Sequence, residues 1–238
     1  MKNSLSTISF LFSGHTFVFW QTCLFVIFAI SSCEKNEKVG QVADIEGNIY
    51  KTVTIGEQVW MAENLKVTKF NDGTEIKLVE SNEEWQNATT SAFSWYHNDS
   101  SLFGNQYGAL YNGYVAQSRK ICPTGWHVPS VNNMLTLIES LDGDELTVGG
   151  KLKEESVAWH EPNTGANNSS QFSALPSGMR YFEGTFSSAS YIAGYWSSIE
   201  VSADSMTFMS LSYLDEKVSF VNTSKKTGLS IRCVKNSQ

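Results

Sequence analysis

Residues 1–33 constrain the fold most, because they predict that the chain is exported and that its first 32 residues are removed. Lys2 is the only charged residue before Glu34. The apolar run from Phe17 to Ile30 has 14 residues, fewer than the roughly 20 that span a membrane comfortably. A basic start, a short apolar run and small residues at its end are typical of a signal peptide. The folded part of the chain therefore lies beyond residue 32.

The end of this run also predicts a lipid attachment site. Ile30-Ser31-Ser32-Cys33 has the order of a lipobox, with an aliphatic residue and two small residues before the cysteine that takes diacylglycerol. We expect residues 1–32 to be a lipoprotein signal peptide, Cys33 to be lipidated, and residues 33–43 to be a polar tether. Several acyl chains at one residue give stable membrane attachment, at about 0.8 kcal/mol for each buried CH₂. The alternative is an ordinary transmembrane anchor with a cysteine there by chance.

Export changes the interpretation of the four cysteines. Cys23 leaves with the signal peptide and Cys33 takes the lipid, so Cys122 and Cys233 remain as an even pair in an oxidising compartment. A disulfide between them would close a loop of about 110 residues, which the chain-entropy model values at roughly 4.7 kcal/mol. Two buried thiols or a redox pair are the alternatives.

Composition excludes one class of partner and favours one class of fold. Removal of residues 1–32 leaves 16 Lys and Arg against 24 Asp and Glu, a formal net charge of −8. An acidic chain without a basic patch lacks the electrostatic footprint of a nucleic-acid-binding protein. Aromatic residues make up 13% and charged residues 17% of the chain, which favours a loop-rich, mostly β domain over disorder.

Local patterns predict one α+β domain over residues 44–236, with short antiparallel strands. The clearest element is a helix over 130–141, where Val131, Met134 and Ile138 follow helical spacing and Ser130 is a natural N-cap. A shorter helix is expected around 149–155. Residues 205–234 predict a three-stranded antiparallel meander whose last strand is Leu229–Val234.

Seven motif segments resemble one known family. They are Asp44-x-x-Gly47-Asn48-x-Tyr50, Thr52-Val53-x-Ile55-Gly56-x-Gln58-x-Trp60-Met61-Ala62-Glu63-Asn64-Leu65, Tyr107-Gly108-Ala109-Leu110-Tyr111-Asn112, Cys122-Pro123-x-Gly125-Trp126-His127-Val128-Pro129-Ser130, Phe172-Ser173-Ala174-Leu175-Pro176-x-Gly178-x-Arg180, Tyr195-Trp196-Ser197-Ser198 and Gly228-Leu229-Ser230-Ile231-Arg232-Cys233-Val234. In this order they resemble the Fibrobacter succinogenes major paralogous domain, which is common in lipoproteins of Bacteroidetes-type bacteria. The resemblance implies a C-type-lectin-like fold with formylglycine-generating-enzyme-like relatives, and no established enzyme activity. The sequence departs from the family pattern at Gly113, at Ser177 and around Gly194, which puts any shared ligand in doubt.

The polar and aromatic residues inside these segments form a candidate ligand pocket, composed of Glu63, Asn64, Trp126, His127, Arg180, Trp196 and Arg232. The alternative is that the polar ones are buried and hold loops through hydrogen bonds to backbone carbonyls. No metal site is predicted, because the spacings of the mature histidines match no metal motif. No nucleophile and base can be paired, so we predict neither a catalytic residue nor a cofactor. Glu161-Pro162-Asn163 spells a sugar-reading tripeptide of calcium-dependent lectins, and we interpret it as a chance match.

These observations predict a cell-envelope lipoprotein, held by its lipid at the outer membrane, that works as a non-catalytic binding or adhesion module. Its ligand is expected to be a surface glycan or a protein, and not a nucleic acid. A cryptic enzyme of the formylglycine-generating-like group and a purely structural envelope protein remain as alternatives. An exposed, unpaired cysteine near Trp126 would favour the enzyme, whereas an aromatic-walled groove would favour the binding module.

Overall fold

Short strands carry the architecture of residues 40–237, the part of the chain that the computed structural model describes. The strands are β1 (Gly40–Ala43), β2 (Ile49–Ile55), β3 (Gln58–Met61), β4 (Lys77–Leu78), β5 (Ala92–Ser94), β6 (Leu110–Asn112), β7 (Trp126–His127), β8 (Ser177–Arg180), β9 (Phe186–Ala189), β10 (Ile192–Ser202), β11 (Ser205–Ser212), β12 (Val218–Ser224), β13 (Gly228–Leu229) and β14 (Val234–Lys235). The α-helices are α1 (Asn82–Gln86), α2 (Asn105–Tyr107), α3 (Gly113–Ser118), α4 (Val131–Glu139) and α5 (Gly149–Leu152). A 3-10 turn at Tyr96–Asn98 and a π-helical turn at Ser100–Gly104 precede α2.

The strands of residues 40–237 form three sheets. The first has the order β1-β2-β3-β14-β7, the second β10-β11-β12, and the third β4-β5-β6-β13-β8-β9. All neighbouring strands within these sheets are antiparallel except β4 and β5, which are parallel. The predicted α+β class with mostly antiparallel strands is therefore confirmed.

The last segment of the chain joins the three sheets. Strand β13 pairs with β6 and β8 in the third sheet, and β14 pairs with β3 and β7 in the first. Between them, Ser230 exchanges backbone hydrogen bonds with Gly194 and Trp196 of the second sheet. The Leu65 and Met61 amides donate to the carbonyls of residues 231 and 233. Residues 228–235 thus lie at the centre of the molecule.

This position corrects the predicted meander. A three-stranded antiparallel meander exists, but its strands are β10, β11 and β12, so residues 229–234 are not its third strand. The prediction missed β10, whose 11 residues make it the longest strand of the described chain. Residues 229–234 pair elsewhere, because their buried backbone groups find hydrogen-bond partners in distant segments. Only Leu229, in β13 of the third sheet, and Val234, in β14 of the first sheet, belong to strands.

The predicted main helix is confirmed as α4. The Ser130 hydroxyl accepts the Asn133 N–H at 3.1 Å, while the Asn133 carboxamide oxygen accepts the Ser130 N–H at 2.9 Å. This reciprocal capping box satisfies two amides at the helix start. The helix buries Met134, Leu137 and Ile138. The second predicted helix is present as α5 and is shorter than the expected 149–155.

The predicted disulfide is confirmed, and one predicted boundary is corrected. Cys122 and Cys233 are bonded with their Cα atoms 5.9 Å apart, and both are buried in a core cluster with Trp196 and Ile231. Residues 40–43, expected to be tether, form β1 and pair with β2, because they continue the antiparallel ladder that Ile49 begins. The predicted signal peptide, the predicted lipidation site Cys33 and residues 33–39 of the predicted tether lie outside the described residues.

Candidate functional site

A polar cleft of about 260 Å³ lies where four of the motif segments meet. One side is formed by β2 and the chain after β3, a second by the segment around α2, and a third by the chain before β8. The lining residues are Ile49, Tyr50, Lys51, Ala62, Glu63, Asn64, Lys66, Gly104, Asn105, Gln106, Gly108, Glu154, Ser173 and Leu175. Two of the seven predicted pocket residues, Glu63 and Asn64, are among them.

A buried arginine fixes the floor of this cleft. Arg232 is 1% exposed, and its Nε donates to the Asn64 carboxamide oxygen at 2.7 Å. Its Nη2 donates to the Ser173 carbonyl at 2.8 Å and its Nη1 to the Phe172 carbonyl. The guanidinium carbon lies 4.4 Å from the Phe172 ring centroid and 5.1 Å from that of Tyr195. One side chain therefore ties the chain after β3 to the chain before β8.

The electrostatics of the floor reflect this burial. Burial lowers the pKa of the Arg232 guanidinium, because removal from water disfavours its charged form. The negative charges of Glu154 and Glu63, which line the cleft, act in the opposite direction. The two carboxylates thus offset part of the cost of a buried cation.

Asn64 has little hydrogen-bonding capacity left for a ligand. Besides accepting from Arg232, its amide donates to the Tyr107 carbonyl at 2.8 Å and to the Ser230 hydroxyl at 3.2 Å. The Ser230 hydroxyl lies 2.9 Å from that of Ser177. Ser177, where the family pattern has glycine, therefore extends the buried network below the cleft. This arrangement makes Asn64 a rigid part of the floor.

Gly108 lets the second side of the cleft approach the floor. Its φ is +72°, and a Cβ built on it would lie 2.5 Å from the Leu65 carbonyl oxygen. The next amide, that of Ala109, donates to this same carbonyl at 2.9 Å. A side chain at position 108 would clash with backbone, so the glycine of Tyr107-Gly108-Ala109 is a steric requirement of the cleft.

The wall of the cleft differs from its floor, because its polar side chains are unpaired. Within residues 40–237, the side chains of Lys51, Lys66, Asn105, Gln106 and Glu154 have neither a hydrogen bond nor a salt bridge to another residue. Glu63 differs, since its carboxylate accepts the Lys51 N–H at 2.6 Å. A fixed floor below free donors and acceptors is suited to binding a polar ligand.

An aromatic cluster adjoins the wall. Phe103 and Tyr107, on either side of the lining residues 104–106, have ring centroids 6.1 Å apart. His97 is exposed, and the centroid of its ring lies 6.0 Å from that of Phe103 and 5.5 Å from that of Phe186. His97 has a φ of +51°, a conformation that costs energy in a residue other than glycine. The cleft and a partly exposed aromatic surface therefore share one segment of chain.

Arg180 lies outside the cleft and has a structural role, which corrects its predicted place in a pocket. It is 0% exposed. Its guanidinium donates to the carbonyls of Val79, Glu80 and Gly184 and lies 4.4 Å from the Trp85 ring centroid. Burial lowers its pKa to about 10. This is the alternative given above, a buried cation that holds loops through their carbonyls.

The remaining three predicted residues also lie away from the cleft. Trp196 is 0% exposed and donates its indole N–H to the Tyr111 carbonyl at 2.7 Å, so it is a core residue and no pocket wall. Trp126 and His127 form β7, which is separated from β2 by β14 and β3. The His127 ring contacts the Asn236 carboxamide oxygen at 2.7 Å through Nδ1.

The sequence analysis missed the wall residues. Lys51, Lys66 and Gln106 each stand directly beside a motif residue, and this proximity was the only signal available. Packing of distant segments determines which neighbours of a motif face the cleft. Residues 51, 106 and 154 come together only in the folded chain.

Two further observations concern the described residues as a whole. No group of three or more His, Cys, Asp and Glu side chains within residues 40–237 has a geometry that suits a metal ion. In the same range, each helix is too short or too polar to cross a bilayer.

The class of protein defined by this architecture is a disulfide-linked α+β domain with a polar cleft. The model of the Fibrobacter succinogenes major domain matches residues 53–235, and the chain belongs to this family. Comparison with curated proteins and with solved structures gives no match in either set.

Proposed function

We propose that this domain is a non-catalytic binding module of the cell envelope, and that the cleft binds a glycan. The observation that carries the proposal is the contrast between a fully hydrogen-bonded floor and a wall of five unpaired polar side chains. Hydroxyl-rich ligands need several donors and acceptors at once, and amides and charged groups supply them. Because the floor is already held in place, only the wall side chains would have to be ordered on binding.

The aromatic cluster supports a saccharide in particular. The apolar C–H face of a sugar ring packs well against an aromatic ring, while its hydroxyls need polar partners. Phe103, which directly precedes the lining residue Gly104, and Phe186 are half-buried, and His97 is exposed. Large aromatic rings also provide contact area at a low conformational-entropy cost.

The cysteine arrangement favours binding over thiol chemistry. Formylglycine-generating enzymes use a reactive thiol, and a thiolate is the species that reacts. Cys122 and Cys233 are bonded to each other and are 3% and 0% exposed. A specific turnover that is abolished by an isosteric change of a cleft residue, without unfolding, would contradict the non-catalytic part of the proposal.

We extend the proposal to location and to fold relatives. The Ile30-Ser31-Ser32-Cys33 sequence supports lipidation at Cys33 and attachment to the outer membrane as a lipoprotein. Mass spectrometry of membrane-extracted protein should find an acylated N-terminal Cys33, and a mature chain that retains residues 1–32 would refute this. Relatedness to C-type-lectin-like folds is supported by the central C-terminal segment and by its disulfide to the middle of the chain.

A glycan array probed with the full-length chain tests the binding function. We expect Glu154→Gln and Gln106→Ala to weaken each array hit by about tenfold, since that factor corresponds to roughly 1.4 kcal/mol and a hydrogen bond contributes about that amount. The matched controls are Glu139→Gln and Gln86→Ala, whose side chains are exposed outside the cleft. Absence of any glycan hit, or hits unaffected by the cleft variants, would refute the proposal.

A further inference from the structure

The cleft combines three cations with two carboxylates. Lys51 and Lys66 lie in its wall and Arg232 lies under its floor, whereas Glu63 and Glu154 are its acidic residues. The whole chain has a formal net charge of −7. The cleft is therefore a locally positive site in an acidic protein.

The two carboxylates act on groups of the protein itself. Both stabilise the charged form of the buried Arg232. Glu63 in addition accepts the Lys51 backbone N–H at 2.6 Å. Their negative charge is thus already used to offset a guanidinium that hydrogen-bonds only to neutral oxygens.

The two lysines, in contrast, form no salt bridge with the described residues 40–237. The salt bridges within residues 40–237 involve Lys69, Lys77, Lys120 and Lys225, and none involves Lys51 or Lys66. Lys66 is half-buried and Lys51 is exposed. An ammonium group at the edge of a cleft interacts with an anion more strongly than one surrounded by water, because the effective dielectric constant is lower there.

We propose that the ligand is an anionic saccharide whose negative group binds between the ammonium groups of Lys51 and Lys66, while its hydroxyls contact Asn105, Gln106 and Glu154. This inference rests on the proposed glycan function and deepens it. Uronic acids and sulfated sugars share the required chemistry, namely a negative group on a hydroxyl-bearing ring. The lysine ammonium groups are point charges and accept either group.

Matched pairs of saccharides test the inference with the full-length chain. The pairs are an oligogalacturonate with its neutral methyl ester, and a sulfated galactan with its desulfated form, each measured by calorimetry at low and high salt. Any other hit of the glycan array is paired with its neutral counterpart in the same way. We expect the anionic member of the bound pair to bind at least tenfold more tightly, and this preference to shrink with added salt because screening weakens charge attraction. The sulfated and carboxylated arms show which anion is preferred.

Variants connect the preference to the two lysines. The double change Lys51→Gln and Lys66→Gln should remove the anion preference and leave the melting temperature unchanged, whereas the control Lys217→Gln, at an exposed site outside the cleft, should preserve it. Equal or tighter binding of the neutral member, or a preference that survives the double change, overturns the inference and leaves the glycan function standing. Failure of every saccharide to bind would instead refute the glycan function itself.

Discussion

Replacement of Arg232 by methionine is the most direct test of the view that a buried cation holds the cleft together. The substitution keeps much of the apolar volume between the Phe172 and Tyr195 rings and removes all donors. Three acceptors then lose their partner, namely the carbonyls of residues 172 and 173 and the Asn64 carboxamide oxygen. A buried acceptor left unsatisfied costs roughly 1–3 kcal/mol, so three cost roughly 3–9 kcal/mol. A domain of this kind has a total stability of about 5–15 kcal/mol.

The assay is urea denaturation of Arg232→Met followed by tryptophan fluorescence. The control is Arg119→Met, because Arg119 is exposed and its side chain has no partner among the described residues. We expect the control to lie within about 0.5 kcal/mol of the unchanged protein. Arg232→Lys should fall between the two, since an ammonium group carries the charge but lacks the guanidinium fork. A loss below about 1 kcal/mol for Arg232→Met would refute the reasoning, because it would mean that the three acceptors find other partners at no cost.

Three further predictions concern stability. Changing Cys122 and Cys233 together to alanine removes a crosslink with a sequence separation of 111 residues. The entropic loss of roughly 4.7 kcal/mol should lower the melting temperature by about 10 °C or more. A calorimetric shift under about 2 °C would contradict this prediction. A hydrogen bond from Lys120 holds the pKa of Asp72 below its usual range. The resulting stabilisation is present above about pH 4 and is lost as the pH falls further. Asp72→Asn should therefore flatten the acid side of a plot of melting temperature against pH. Gly108→Ala should weaken glycan binding and lower stability by more than 1 kcal/mol, since its φ of +72° and a 2.5 Å backbone contact leave no room for a methyl group.

Elements defined by neighbours in the chain were predictable. Helix α4 combines apolar spacing with a Ser130 cap, and both are local properties that hold whatever the helix packs against. The helix buries Leu137 as well as Met134 and Ile138, two of the residues that carried the predicted apolar spacing. The disulfide was also predictable, since the expected removal of residues 1–32 and lipidation of Cys33 would leave only Cys122 and Cys233.

Elements defined by distant partners were not predictable from the residues. Strand β10 contains Gly194, Tyr195 and Trp196, a sequence that suits several conformations, and its register is set by β11 on one side and Ser230 on the other. Strands of two residues such as β13 and β14 exist only because a partner faces them. The same reason explains the candidate site, where burial of Arg232 was one of the two readings of the sequence but its partners, Asn64 and the carbonyls of residues 172 and 173, were not predicted.

The buried cations explain how a loop-rich domain of this kind holds a rigid cleft. Chain outside sheets and helices has carbonyl groups without backbone donors, and burying them unsatisfied is costly. Arg180, Arg232 and Lys153 each donate to at least two such carbonyls, and Lys153 donates to those of residues 164 and 215 as well as to that of Ser212 at the end of β11. None of the three has a carboxylate as a hydrogen-bond partner within residues 40–237, so their bonds leave the acidic residues at the surface free for other contacts. Glu154 directly follows Lys153 and lies in the cleft wall, where its negative charge acts on the buried Arg232. The floor of the cleft therefore gains its rigidity from the buried Arg232, whereas five of the wall side chains form no hydrogen bond or salt bridge within residues 40–237.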